Sequence, residues 1–164
     1  MNPARHTPRL RGFTLIELLI TVSIVGLLAS LAVPMAEVAV QRNKEQALRE
    51  ALQQIRGALD AYKQAADEGH ILLDAQKSGY PPTLQTLVDG IVDAKSANKN
   101  DHIYFLRRIP RDPFATDSTL PPDATWGKRS YASAPDDPQE GDDVFDVYTL
   151  ATGSGINGIP YRQW

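Results

Sequence analysis

The chain has no cysteine among its 164 residues, so no disulfide can brace it. Exported domains of modest size that lack disulfides hold together by core packing or with help from a metal ion. Positive charge is not in excess either: 17 basic residues face 20 acidic ones, a net of −3. That balance argues against a surface that grips nucleic acid. Catalytic constellations are missing as well. There is no Gly-x-Ser-x-Gly, no Gly-rich phosphate loop, and His6, His70 and His102 share no metal-ligand spacing. Residues 38–68 contain no proline, and residues 1–12 contain no acidic side chain.

What is present begins with Arg5, Arg9 and Arg11, followed by an apolar run from Phe13 to Met35. These 23 residues carry one charge, at Glu17. At about 1.5 Å per residue such a helix reaches roughly 34 Å, enough to cross a hydrocarbon core of about 30 Å. The basic tail precedes the run and Glu37 follows it, so the amino terminus is expected inside and the remainder exported. A carboxylate within hydrocarbon costs on the order of 2.5–3.5 kcal/mol, which gives Glu17 a partner and a task by default. An ordinary signal peptide cut after Ser30-Leu31-Ala32 is the competing reading. Its apolar core would be shorter, and it has no use for Glu17.

Pro34 removes one backbone hydrogen bond and is expected to kink the helix rather than end it, because helical signals resume at once. Leu48, Leu52, Ile55, Leu59 and Tyr62 then recur at spacings of four and three, with Ala51, Ala58 and Ala65 alongside. Arg49, Gln53, Arg56, Asp60 and Lys63 fall away from that stripe. Two heptads are too few for a coiled coil, so the stripe is expected against the protein's own sheet, with Gly69 as the stop. A helix opening at Pro81-Pro82-Thr83 and closing at Gly90 is expected next, its apolar face made by Leu84, Leu87 and Val88. Ile91–Asp101 reads as loop, Ile103–Leu106 as β-prone and Arg107–Pro113 as a turn. Residues 117–125 read as loop. Arg129–Ser133 reads as a short strand, and Val144–Leu150 as a strand in which Phe145, Val147 and Thr149 alternate with Asp146 and Tyr148. The divisions are therefore 1–12, 13–35, 36–68 and a globular 69–164.

Gly12-Phe13-Thr14-Leu15-Ile16-Glu17, placed between a basic leader and an apolar helix, resembles the processing site of type IV pilins and of the pseudopilins of type II secretion. The resemblance implies cleavage between Gly12 and Phe13 by a membrane prepilin peptidase and N-methylation of Phe13. It gives Glu17 a role in filament assembly. Glycine lets a protease approach the scissile backbone closely. Cleavage leaves an α-amino cation at Phe13 for Glu17 of the same or a neighbouring subunit to meet, a pairing better suited to setting register than to adding stability. The leader holds three of the 17 basic residues, leaving 14 against 20, a net of −6.

The Tyr80-Pro81-Pro82 stretch, the Arg107–Pro113 turn, Trp126-Gly127 and Phe145-Asp146-Val147-Tyr148 occur in an order that looks like the major, G-type pseudopilin. Lack of a disulfide points to the same branch. The resemblance implies an α+β pilin-like fold, a long amino-terminal helix half in the membrane and half packed on a small antiparallel sheet. Its partners would be copies of itself, the peptidase, minor pseudopilins and an inner-membrane assembly platform, with no nucleic acid. The chain would be a filament subunit and not an enzyme. A type IV pilus subunit and a signal-anchored periplasmic enzyme or binding domain are the alternatives.

In members of that branch an acidic carboxy-terminal loop binds calcium, through ligands that lie after the last strand. Here Asp136, Asp137, Glu140, Asp142, Asp143 and Asp146 precede or enter the last strand, and Asp142, Asp143 and Asp146 are the candidate ligands. The turn after that strand, Thr152–Gly158, has no carboxylate. A solvated loop is the competing expectation for the acidic run. For Arg107, Arg108 and Arg111 it is a subunit contact or a solvated turn.

Overall fold

The structure, a computed structural model, describes residues 12–73, 77–98 and 100–164, leaving out the side chain of Leu31. The expected leader therefore lies outside the described residues except for Gly12. Contacts divide the chain into two units, Met1–Gln41 and Arg42–Trp164.

Helix α1, Leu15–Asp67, begins in the first unit and ends in the second, with Pro34 inside it. In the first unit every described side chain from Leu15 to Val40 is exposed. Most of those residues are apolar, and among the described residues the helix there is held by its own backbone ladder alone.

In the second unit the predicted stripe becomes the core. Leu48, Leu52, Ile55, Leu59 and Tyr62 are all buried, joined by Ala51, Ala58 and Ala66. Each large aliphatic side chain withdrawn from water contributes roughly 1.5–3 kcal/mol, so this face ties the helix to the domain. Opposite it lie Leu84, Leu87, Leu106, Ile109, Trp126, Val144, Val147 and Tyr161. Packing against the protein's own sheet was the correct alternative.

The helix stops where Gly69 was expected to stop it. Gly69 has a φ of +79°, its N–H donates to Ala66 O at 3.0 Å, and the His70 N–H donates to Ala65 O at 2.9 Å. This is a Schellman closure, which needs the left-handed conformation that glycine adopts without penalty.

The sheet is smaller and more divided than expected. Strands β1, Ile91–Val92, and β2, His102–Ile103, pair antiparallel. Strands β3, Trp126–Arg129, and β4, Asp146–Thr149, form a second antiparallel pair with Trp126 opposite Thr149 and Arg129 opposite Asp146. The loop expectation for residues 91–101 is corrected at its first two positions, and β2 stops short of Phe105. Phe105 and Leu106 both aim their N–H groups at Leu87 O, at 3.1 and 2.9 Å, which draws them off the ladder.

Helix α2 is Thr86–Asp89 alone, shorter than the predicted helix from Pro81. The N-cap is Gln85; Thr83 Oγ1, ahead of it, accepts the Thr86 N–H at 3.3 Å, and the two prolines lie further upstream. The strand predicted at Arg129–Ser133 instead ends at Arg129. The Ser130 N–H turns to Gln139 O at 2.9 Å, outside the ladder. In β4 the predicted alternation holds: Val147 and Thr149 are buried, Asp146 and Tyr148 partly exposed.

One buried carboxylate, Asp112, organises the far end of this pair. It accepts the Thr149 hydroxyl proton and the Phe114 N–H (2.8 Å), while its own N–H donates to Thr125 Oγ1 (3.2 Å). Trp126 donates from Nε1 to Pro110 O at 2.8 Å beside it. The result is an α+β fold, one long helix packed in its second half on small antiparallel sheets.

Candidate functional site

Gly12 and Phe13 lie exposed ahead of α1, Phe13 at 78%. A Cβ built on Gly12 would meet nothing within 4 Å, and its φ lies outside the left-handed region. Among the described residues no packing demands glycine at residue 12.

Thr14 starts the helix. Its Oγ1 accepts the Glu17 N–H at 3.3 Å and its carbonyl accepts the Leu18 N–H at 3.1 Å. Thr14-Leu15-Ile16-Glu17 therefore fits the Ser/Thr-x-x-Glu signature of a helix amino terminus, a role for these residues beyond that expected from their place in the processing motif. Glu17 lies in the first turn, where the helix dipole favours negative charge. The carboxylate is exposed and takes no charged partner within the described residues.

Further along, the polar side chains are satisfied locally. Thr21, Ser23 and Ser30 donate to Leu18 O, Leu19 O and Leu27 O at 2.9, 2.7 and 2.7 Å. Hydroxyls bonded back to their own helix carry little penalty in hydrocarbon. Among the described residues α1 is the one helix long and apolar enough to cross a membrane. Pro34 cannot donate to the carbonyl of Ser30 four residues back, yet helical geometry continues on both sides of it.

The candidate calcium ligands Asp143 and Asp146 are engaged by protein groups. Asp146 Oδ1 lies 2.8 Å from Arg56 Nε, and its Oδ2 lies 3.5 Å from Arg129 Nη2. Asp143 accepts the Tyr131 N–H at 2.8 Å and the Ser78 hydroxyl. Asp142 is exposed. Among the described residues no three His, Cys, Asp or Glu side chains are grouped to hold a metal ion. A calcium ion needs six to eight oxygens, and here it would have to displace two guanidinium groups to reach Asp146. The three candidates do not fit it.

The arginine cluster divides. Arg107 and Arg108 are exposed, whereas Arg111 donates to Leu120 O at 2.6 Å and to Asp117 O, tying down the loop that precedes β3. His6 lies outside the described residues. His102 contacts Asn100 O, and His70 Nδ1 lies 2.8 Å from Asp93 Oδ1. The hydrogen bond from His70, reinforced by the Lys95 N–H, holds the Asp93 carboxyl below the usual carboxylate range. His70 thus links the end of α1 to the segment following β1.

Comparison with known proteins adds the following. Residues 8–33 match the prokaryotic N-terminal methylation motif. The chain is 36% identical over 151 residues to a type II secretion system core protein G of Klebsiella pneumoniae, covering 87% of this chain and 96% of that protein. It is 34% identical over 151 residues to the core protein G of Escherichia coli, 85% of this chain and 92% of that one. A third likeness, to the type IV major pilin protein PilA of Myxococcus xanthus, is 59% over 34 residues, 21% of this chain and 16% of the pilin. No solved structure matches.

Proposed function

The chain belongs to the type II secretion system core protein G family, and from that membership we propose that it is the subunit of a secretion pseudopilus. The observation that carries the proposal is the pairing of near full-length kinship with an intact processing motif at the head of an exposed apolar helix. In this reading the subunit is anchored in the inner membrane by residues 13–35, its amino terminus cytoplasmic and its domain periplasmic. Prepilin peptidase cuts between Gly12 and Phe13, and Phe13 is then N-methylated. The apolar surface of α1 leaves lipid for the faces of neighbouring copies, so that assembly exchanges one apolar surround for another. Glu17 meets the Phe13 amine of the incoming or preceding copy, and the need to bury both charges together sets the register. The chain is a substrate of enzymes rather than an enzyme, and it works with the assembly platform and minor pseudopilins.

Kinship with a type IV pilin over 34 residues fits shared processing and assembly chemistry rather than a shared filament. The test is Glu17→Ala in the full chain, with processed size, membrane location, cross-linked multimers and secretion all measured. Processing and insertion are expected to persist while multimers and secretion are lost. Normal assembly with alanine would sink the role given to this carboxylate, and lost processing would move that role to the peptidase.

A further inference from the structure

Residues 150–164 contain no Asp or Glu, yet they are not loose. Three side chains of α1 reach them. Glu45, only 6% exposed, accepts on Oε1 both the Ile156 N–H and the Tyr161 hydroxyl, each at 2.9 Å. The Arg49 guanidinium stands 4.3 Å from the centre of the Trp164 ring, and Arg56 Nη2 donates to Trp164 O at 2.8 Å and to Val147 O at 3.1 Å. Spacings of four and seven place the three on one stripe of the helix. The segment packs on itself between these ties, with Tyr161 4.5 Å from Phe114 and 5.1 Å from Trp164, ring centre to ring centre.

We infer that Glu45, Arg49 and Arg56 form a metal-free clamp, holding the carboxy-terminal segment where calcium would be expected to hold it. The donor set is the reason. Among the described residues the side-chain carboxylate that reaches the segment is Glu45, which accepts two protein donors, while Asp146 is spent on two arginines. A carboxylate accepting protein N–H and O–H groups has little left for a cation that wants six to eight oxygens. A guanidinium at the same place disfavours a cation outright. Burial makes the Glu45 bonds count, since a donor left without its acceptor there keeps its full desolvation cost.

The experiment uses the full chain in detergent micelles, so its outcome does not depend on filament assembly. Thermal unfolding is followed with millimolar calcium and with excess chelator, and native tryptic cleavage after Arg162 is compared with cleavage after the exposed Arg107 and Arg108. The wild-type midpoint is expected to be the same in both conditions. Tyr161→Phe, which removes one hydroxyl, and Glu45→Gln, which removes the charge, are expected to lower the midpoint by about 4 °C or more. Cleavage after Arg162 is expected to accelerate before cleavage at Arg107 or Arg108, which general destabilisation would not produce. A midpoint that falls in chelator and returns with calcium overturns the inference. So does a wild-type midpoint and cleavage order in both variants.

Discussion

Arg56 and Asp146, ninety residues apart, meet with Nε 2.8 Å from Oδ1 and so join α1 to the start of β4. Both side chains keep some exposure to water, 37% and 27%, which screens the pair. A double-mutant cycle with Arg56→Met and Asp146→Asn is expected to return a coupling of about 1 kcal/mol. Zero coupling in denaturant unfolding would mean that Arg56 acts only through the carbonyls of Val147 and Trp164.

Mass spectrometry of the membrane-extracted protein is expected to show loss of residues 1–12 and one added methyl group on Phe13. The openness around Gly12 leaves room for an external reader at that position, since a side chain there meets nothing among the described residues. A mature chain beginning at Val33 would instead establish signal-peptide cleavage.

Gly127→Ala is expected to cost roughly 1–3 kcal/mol by overpacking. Its new Cβ would fall 2.3 Å from Cε2 of Tyr148, the residue opposite it across β3 and β4. Adding Tyr148→Ser should recover part of the loss. Equal unfolding midpoints for Gly127→Ala and wild type would show that the Tyr148 ring yields freely.

Asp93 supplies a pH dependence with a definite sign. Its folded pKa lies below the ordinary 3.8, so the folded state favours the carboxylate. That contribution is complete above about pH 4–5 and is lost as pH falls through the lowered value. Asp93→Asn is accordingly expected to lower the midpoint at neutral pH and to match wild type near pH 2. A deficit that persists in acid would assign the effect to something other than the charge.

The processing motif, the apolar span, the stripe from Leu48 to Tyr62, the stop at Gly69 and the alternation in β4 were all legible in the sequence. They share a cause. Each is dictated by neighbours within a few residues, through helical or strand periodicity, a breaker, or a recognition element read by something outside the chain. The Thr14–Glu17 start is equally local.

What tertiary structure alone decided is the pairing of residues distant in the chain. Periodicity put Arg56 on the solvent side of its helix, and Asp142, Asp143 and Asp146 looked like a cation's ligands. Only the approach of β4 and residues 150–164 to α1 turned Arg56 toward Asp146 and spent Glu45 on Tyr161. In the same way β2 stopped at Ile103 because Leu87 O claims the N–H groups of Phe105 and Leu106. A hydrogen bond across ninety residues leaves no spacing in the sequence, and a carboxylate reads the same there whether an arginine or a metal ion will meet it.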